Sequence, residues 1–291
     1  MEPLLDGINV IELAEWGFVP SAGAVLADWG AGVVKIEHPQ RGDPMRGLMA
    51  GGLIASTGDY NYMVEQMNRG KRSLGLDLGN DAGRDVFLKL IERADVFVTS
   101  FLEPARRRLR ITYDDLSSIN PRLVYARGHG QGARGPDAEK AGFDAVSYWA
   151  RSGIAHMLTP LDGQFVGQRA AFGDVMSGMT LAGGIAAALF RRTASGKGGL
   201  IDVSLLGTAL WNLAPDVLAS SLLGKDPREA VGIGAKAPPN PLVGIYRTAD
   251  QRMIMLNMLQ GDRYWEPFCR AIAREDLIAD CARQGFGIFA D

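Results

Sequence analysis

Short apolar runs alternate with segments of helical periodicity along most of the chain. Residues 8–13 and 33–37 are β-type runs, and small and apolar residues recur at helical spacing over 20–29, which predicts a βαβ unit. The alternation continues with predicted strands at 73–78, 95–101, 122–127 and 200–204 and predicted helices at 81–93, 113–119, 142–157, 174–192 and 205–223. Repeated strand–helix units predict an α/β fold with a doubly wound, mostly parallel, Rossmann-like sheet.

The pattern changes near residue 225. Residues 225–241 are rich in Gly, Pro and charge, as in a linker or an ordered loop, and residues 244–247 and 253–257 are predicted strands that flank a turn. We therefore expect a large domain over 1–224 and a second, smaller α+β domain over 225–291.

Composition excludes several classes of protein. The 291 residues are 47% hydrophobic and 22% charged, with a net charge of −2, so no general positive field favours nucleic acid as a partner. No run approaches 18 uninterrupted apolar residues and the N-terminus does not resemble a signal peptide, which favours a cytoplasmic protein with no membrane partner. Two cysteines and three scattered histidines indicate neither a disulfide framework nor a metal site.

The first predicted strand is not followed by a dinucleotide-binding turn. Residues 15–20 read Glu-Trp-Gly-Phe-Val-Pro, which is too bulky for the glycine approach that a pyrophosphate needs. The sequence also lacks a Walker loop, a nucleophile elbow and a zinc-protease motif. Ligands of open parallel sheets bind beyond the carboxyl ends of strands, so residues 14–18, His38 and 99–102 are candidate contacts.

Asp174 is the most informative carboxylate. It stands at the predicted start of a helix rich in small residues, where free backbone amides stabilise an anion and a bulky ligand can approach. The residues alone favour a simple helix N-cap, since aspartate is a preferred capping residue, and the same interpretation applies to Asp144. The arginines at 106–108 suit phosphate groups, although a solvated charge cluster is the commoner interpretation.

A series of short blocks follows in order along residues 5 to about 270. They are 5–13 (Leu-Asp-Gly-Ile-Asn-Val-Ile-Glu-Leu), 26–31 (Leu-Ala-Asp-Trp-Gly-Ala), 34–37 (Val-Lys-Ile-Glu), 42–46 (Gly-Asp-Pro-Met-Arg), 71–73 (Lys-Arg-Ser), 94–96 (Ala-Asp-Val), 113–116 (Tyr-Asp-Asp-Leu), 120–123 (Asn-Pro-Arg-Leu), 173–174 (Gly-Asp), 195–198 (Ser-Gly-Lys-Gly) and 202–204 (Asp-Val-Ser). In this order the blocks resemble the class III CoA-transferase family, which includes formyl-CoA and carnitine-type CoA-transferases and α-methylacyl-CoA racemases.

The resemblance implies that Asp174 is a nucleophile. In the family's transferases the aspartate at this position attacks the acyl-CoA thioester to form a mixed anhydride, and returning CoA thiolate then forms an aspartyl-CoA thioester. An ordinary aspartate has a pKa of about 4, so we expect Asp174 to be ionised at neutral pH without a general base. The intermediates need water exclusion and amide donors, for which Gly173 and residues 232–234, as a lid, are the expected sources.

The implied substrates are coenzyme A, carried as an acyl-CoA, and a carboxylic acid acceptor, with no tightly bound cofactor. CoA contacts carried over by position are Gly17, Phe18, His38, Leu76, Asp77, Leu78, Gly79, Ser100, Phe101, Leu102, Arg108, Ala141, Gly142, Phe143 and Asp144. The chain departs from the family because His38 stands where transferases often have arginine, and Gly79 and Ala141 stand where some have lysine. We expect Arg72, Arg107 or Arg108 to supply phosphate contacts instead.

Two alternatives to a transferase accompany the resemblance. Racemases of the family use a His-Asp pair, and Phe143 stands at the histidine position; phenylalanine cannot carry a proton, so the transferase is favoured. Family members also form homodimers of interlocked chains and continue beyond the small domain to complete the large one. We therefore expect a homodimer with an incomplete small domain, and the second alternative is a non-catalytic CoA-binding paralogue.

Overall fold

The apolar runs of the sequence form a six-stranded parallel sheet. In the computed structural model, which describes residues 2–138, 140–160, 163–231 and 240–278, the strands are β1 (Asn9–Leu13), β2 (Gly32–Glu37), β3 (Arg72–Gly75), β4 (Val96–Thr99), β5 (Val124–His129) and β6 (Gly199–Ser204). Their order is β3-β2-β1-β4-β5-β6, and every neighbouring pair is parallel. The predicted doubly wound sheet is confirmed. Its strand order reverses between β1 and β4, which opens a crevice beyond their carboxyl ends.

Helices cover both faces of this sheet. They are α1 (Phe18–Asp28), α2 (Tyr62–Asn68), α3 (Asp81–Ile91), α4 (Glu103–Leu109), α5 (Tyr113–Ile119), α6 (Ile154–Leu158), α7 (Phe172–Ser195) and α8 (Leu205–Asn212), with a 3-10 turn at Pro44–Gly47 and a π-helical turn at Ala145–Ala150. Alternate residues of β4 divide between two apolar layers, because side chains of a strand alternate between its faces. Val96 and Val98 pack in the layer that contains α1 and α7, and Phe97 packs in the layer that contains α3 and α5.

The 24-residue helix α7 packs directly on α1. A Cβ at Gly178 would lie 1.8 Å from Ser21 Oγ, so glycine is needed for this close approach. Ser21 Oγ donates a hydrogen bond to the backbone oxygen of Asp174 at 3.1 Å, which holds the start of α7 over the start of α1. By length and composition α7 is apolar enough to cross a membrane, a test that core helices of soluble proteins also pass.

Two predicted helices are divided in the structure. Residues 142–157 form the π-helical turn and α6, which are separated at Gly153, where φ is 99° and the backbone is left-handed. Residues 205–223 form α8 and a further helix, α9 (Ala214–Leu223). Pro215 explains the second division, because proline lacks the N–H that would continue α8 and its ring clashes with the preceding turn. Helices α2 and α4 were not among the predicted elements.

The described residues divide into two compact units. Those within Met1–Thr159 and Gln164–Val217 form the first, which contains every residue of the predicted site, and those within Pro160–Gly163 and Leu218–Asp291 form the second. The second contains α10 (Pro227–Val231), α11 (Gly261–Ala271), a 3-10 turn at Glu275–Leu277 and the antiparallel pair β7 (Val243–Arg247) and β8 (Met253–Asn257). The two predicted strands of the small domain are confirmed. The expected lid, residues 232–234, lies outside the described residues.

Candidate active site

A cleft of about 730 Å³ opens beyond the carboxyl ends of the sheet strands. It is lined by most of the predicted contacts, namely Phe18, His38, Leu76, Asp77, Leu78, Gly79, Ser100, Phe101, Leu102, Arg108, Ala141, Gly142, Phe143 and Asp174. These segments are distant in sequence and meet here because the carboxyl ends of parallel strands lie at one edge of a sheet. The volume is within the range of small-molecule and cofactor sites.

Asp174 is the third residue of α7 and does not cap it. Ala171 occupies the N-cap position with a left-handed φ of 60° and makes no side-chain cap bond. The backbone amides of Gly173 and Asp174 lower the pKa of Asp144, so they act on that carboxyl group and not on that of Asp174. The N-cap interpretation of Asp174 is therefore wrong. For Asp144 it is confirmed, since its Oδ1 also accepts a 2.7 Å bond from the amide of Ala145 in its own helical turn.

The Asp174 carboxyl group lies against Gly17. A Cβ at Gly17 would lie 2.2 Å from Asp174 Oδ2, so any larger residue would displace the carboxyl group. Burial, followed by the charge of Asp144, raises the pKa of Asp174 to about 8, and no hydrogen bond from a described residue counteracts this. The expectation that Asp174 ionises like an ordinary aspartate is therefore wrong for the free site, in which it is mostly protonated at pH 7.

Asp144 forms a pair of unequal carboxyl groups with Asp174. Burial raises the pKa of Asp144, while hydrogen bonds from Ala145, from Gln168 Nε2 and from the amides at the start of α7 lower it. These bonds favour the ionised form, and Asp174 has no such bonds from described residues. In the free protein the negative charge of the pair is therefore held mainly by Asp144 and the proton by Asp174.

Arginine and histidine side chains line the cleft in the loop after β2 and on α4. His38 and Arg108 are predicted contacts there, and Arg41 is one that the sequence interpretation missed. Arg41 stands three residues after His38 in the same loop, which is the signal that indicates it. Its backbone amide and that of Gln40 donate to His38 Nδ1 at 3.3 and 3.2 Å, and His38 Nε2 lies 3.9 Å from Asp77 Oδ1. This region suits an anionic group such as phosphate.

Four predicted contacts, Gly17, Arg72, Arg107 and Asp144, do not line the cleft. Arg107 pairs with Glu103 on α4. Gly17 lies against the Asp174 carboxyl group, and the charge of Asp144 raises the pKa of Asp174, as described above. Arg72 is the first residue of β3 and pairs with Val34, so it lies at the amino end of the strand, away from Leu76 and the rest of the cleft. The structure therefore does not bring Arg72 into the site.

Aromatic side chains border the cleft near Asp174. Phe143 is 54% exposed, and its ring meets that of Trp16 edge to face with centroids 5.1 Å apart. His129 also lines the cleft, and its Nε2 forms a 2.8 Å hydrogen bond with Asp202 Oδ1. In the part of the chain that the structure describes, no group of three or more His, Cys, Asp or Glu residues is arranged to hold a metal ion.

Comparison with known proteins agrees with this geometry. The family model for CoA-transferase family III matches residues 5–285. The (R)-2-hydroxy-4-methylpentanoate CoA-transferase of Clostridioides difficile is 32% identical over 279 residues, which is 95% of this chain and 68% of that protein. The cinnamoyl-CoA:phenyllactate CoA-transferase of Clostridium sporogenes is 31% identical over 277 residues, which is 95% of this chain and 66% of that protein.

Solved structures agree as well. A CAIB/BAIF family protein from Brucella suis superposes with a TM-score of 0.76 at 28% identity, over 94% of this chain and 71% of that one. The chain spans about two-thirds of the length of the two curated relatives. The family match extends over almost the whole sequence, through both compact units. The chain belongs to CoA-transferase family III, and its relatives named above are enzymes that transfer CoA.

Proposed function

We propose that this protein moves CoA between an acyl-CoA and a carboxylic acid through a covalent aspartyl-CoA intermediate on Asp174. The observation that carries the proposal is the position of the Asp174 carboxyl group, which faces the cleft, lies against Gly17 and receives no hydrogen bond from a described residue. A nucleophile needs an unshared oxygen lone pair directed at its substrate, and this carboxyl group keeps its lone pairs free.

The proposed reaction balances without a metal or redox cofactor. Asp174 first loses its proton to solvent, and one oxygen of the resulting carboxylate attacks the thioester carbonyl. The C–S bond then breaks, so that CoA leaves as a thiolate and a mixed anhydride remains. The thiolate then attacks the aspartyl carbonyl, which releases the donor acid as a carboxylate and forms the aspartyl-CoA thioester. The acceptor carboxylate attacks this thioester, thiolate leaves again, and its attack on the acceptor's carbonyl forms the new acyl-CoA and restores Asp174.

The start of α1 is positioned to stabilise the tetrahedral oxyanion of each step. The helix begins at Phe18, directly after Gly17, and none of its first-turn amides is bonded by a side-chain cap among the described residues. The amides of Phe18 and Val19 are therefore available donors at the positive end of the helix. Preorganised donors of this kind commonly contribute roughly 100-fold or more to acyl-transfer rates.

CoA binding is assigned to the rest of the cleft. Arg41 and Arg108 provide positive charge for the CoA phosphates, His38 lines the same part of the cleft, and Arg72 is excluded from this role by its position. The apolar side chains around Phe143 and Trp16 border the reacting end, where the acyl group is placed. In this proposal CoA is a substrate, which enters the site as one acyl-CoA thioester and leaves it as another.

The racemase alternative receives no support from the site. It requires a second proton carrier next to Asp144, and Phe143 occupies that place with its ring packed on Trp16. Asp144 itself accepts hydrogen bonds from the Ala145 amide and from Gln168 Nε2. The transferase requires only the features that are present.

Intact-protein mass spectrometry tests the proposed function. The wild type, mixed with acetyl-, butyryl- or phenylacetyl-CoA, is expected to gain the mass of CoA less water, and hydroxylamine should remove it. Asp174→Ala should show no adduct, while Asp81→Ala, which removes an exposed carboxylate at the start of α3, should retain it. If the folded wild type binds CoA and never forms an adduct, the covalent mechanism is refuted and the non-catalytic paralogue is supported.

The proposal includes a cytoplasmic homodimer with interlocked chains. Phe190 of α7 and Trp211 of α8 are each 80% exposed in the single chain, so each leaves a large apolar surface that a second copy can cover. Light scattering after size exclusion is expected to give twice the chain mass of 31.3 kDa, and a monomer would refute this part of the proposal.

A further inference from the structure

A buried ionic network lies beneath the loop that leads from β1 to α1. Lys35 and Asp43 are each 2% exposed, and Lys35 Nζ donates to Asp43 Oδ2 at 2.9 Å and to Glu12 Oε1 at 3.3 Å. Glu12 is also paired with Lys71 at 2.7 Å, so the four charges sum to zero. Although burial lowers the pKa of Lys35, Glu12 and Asp43 raise it by more, so Lys35 remains charged.

The network holds the backbone of this loop at successive residues. Lys35 Nζ donates to the carbonyl oxygen of Ala14 at 2.9 Å. The amide of Trp16 donates to Asp43 Oδ1 at 3.1 Å, so the two members of one ion pair bond the loop two residues apart. Between them, Ser100 Oγ accepts a 2.9 Å hydrogen bond from the amide of Glu15.

These bonds stabilise an unfavourable backbone conformation at Trp16. Trp16 has a φ of 68°, in the left-handed region that a bulky residue rarely adopts. Such a residue persists only where its surroundings over-determine it, and such residues cluster at functional sites. The next residue is Gly17, against which the Asp174 carboxyl group lies, and then the amides at the start of α1.

We propose that Lys35 and Asp43 are a positioning pair for the reaction at Asp174. Their ion pair holds the left-handed turn at Trp16 and thereby sets the distance of Gly17 and the first amides of α1 from the Asp174 carboxyl group. Neither side chain lines the cleft, so the pair acts through the loop and not on the substrate. The inference rests on the proposed function, because the step that it positions is the attack by Asp174.

Burial of this ion pair is not explained by stability alone. Desolvation of buried ions offsets most of their attraction, and apolar residues of similar size often replace such pairs without loss of stability. If the pair positions the loop, a variant that lacks it should still fold but should form the Asp174 adduct more slowly. A displacement of about 1 Å in a reacting group lowers rates by roughly 100-fold.

The experiment measures single-turnover formation of the CoA adduct at saturating phenylacetyl-, butyryl- or acetyl-CoA, by quenched-flow mass spectrometry. The variants are Lys35→Met and Asp43→Asn, the second of which retains an oxygen acceptor for the Trp16 amide and loses the charge. The matched control is Arg192→Met, which removes a buried cation that pairs with Asp95 at 2.9 Å near the amino ends of the strands.

We expect Lys35→Met to lower the rate of adduct formation roughly 10- to 100-fold. The KM for acyl-CoA should remain within about 3-fold of the wild-type value, because Arg41, His38 and Arg108 are untouched. Asp43→Asn should lower the rate by about 10-fold. Arg192→Met should lose thermal stability but retain the wild-type rate, since it is remote from the loop.

The outcomes separate this inference from the proposed function. Absence of any adduct in the wild type refutes the proposed function itself. If the wild type forms the adduct and Lys35→Met forms it at the same rate, only the positioning role is refuted. Should Lys35→Met fail to fold, Asp43→Asn decides, and a wild-type rate in that variant overturns the inference. Equal slowing in Arg192→Met also overturns it, because the effect would then be a general loss of structure.

Discussion

Replacing Asp174 by asparagine is expected to stabilise the protein while abolishing adduct formation. Burial and the charge of Asp144 raise the pKa of Asp174 from its ordinary value of 3.8 to about 8. Between these two pKa values Asp174 is protonated in the folded protein and ionised in the unfolded chain. Stability is then highest near or below pH 4 and falls as the pH rises to about 8, whereas asparagine has no proton to lose.

The size of the effect follows from the same shift. Each unit of pH between the two pKa values changes the free energy of unfolding by about 1.4 kcal/mol, which sets an upper limit of about 4 kcal/mol at pH 7. Solvent in the open cleft screens the carboxyl group, so we expect about half of this limit, or about 2 kcal/mol. For a unit of this size, such a change raises Tm by roughly 4–8 °C.

Differential scanning calorimetry from pH 4 to pH 9 measures the difference in Tm between Asp174→Asn and the wild type. We expect it to be near zero at pH 4, to grow until about pH 8 and then to level off. Asp137→Asn is a control of opposite sign, since its bonds to Lys140 and then Arg151 hold the pKa of Asp137 below its ordinary value. That variant should be destabilised at neutral pH and approach the wild type in acid. A difference for Asp174→Asn that is independent of pH would refute the reasoning.

Three other substitutions test the site. In Gly17→Ala the added methyl carbon would lie 2.2 Å from Asp174 Oδ2. The rate of adduct formation, measured by mass spectrometry, should therefore fall roughly 100-fold, and a wild-type rate would contradict the packing. Asp144→Asn removes the like charge, so the acidic limb of the pH–rate profile should move to lower pH, and an unmoved limb would contradict the coupling. Arg41→Ala should raise the KM for acyl-CoA and weaken its dependence on salt, with kcat little changed; an unchanged KM in steady-state kinetics would remove Arg41 from the CoA contacts.

Local signals predicted much of the fold correctly. The strand at 253–257 and helix α5 have the bounds that their apolar patterns indicate, and Gly196 ends α7 in a left-handed conformation as glycine after a helix commonly does. The predicted helix over 205–223 was wrong, because hydrophobic periodicity continues across Pro215 although the backbone hydrogen bonds cannot. Periodicity reports which face is buried and not where the chain breaks.

For the site residues, too, some predictions from the sequence were correct and others were wrong. The capping preference of aspartate was correct for Asp144 and wrong for Asp174, because α7 begins at Phe172, two residues before Asp174. Arg72 has the residue type that phosphate needs, but a four-residue strand separates it from the carboxyl edge where the ligand site forms. Residue type alone therefore predicts a possible role, and strand direction decides whether the residue reaches the site.

The sequence by itself determined the class of fold and the family, because these depend on local periodicity and on motifs in a given order, and the family resemblance then implied Asp174 as the candidate nucleophile. Only the tertiary structure decided the chemical state of that nucleophile. The pKa of Asp174, the packing of its carboxyl group on Gly17 and the network of Lys35 and Asp43 depend on burial and on distances between groups far apart in the chain. Desolvation and Coulomb interactions act through space, so they arise only once folding has brought these groups together.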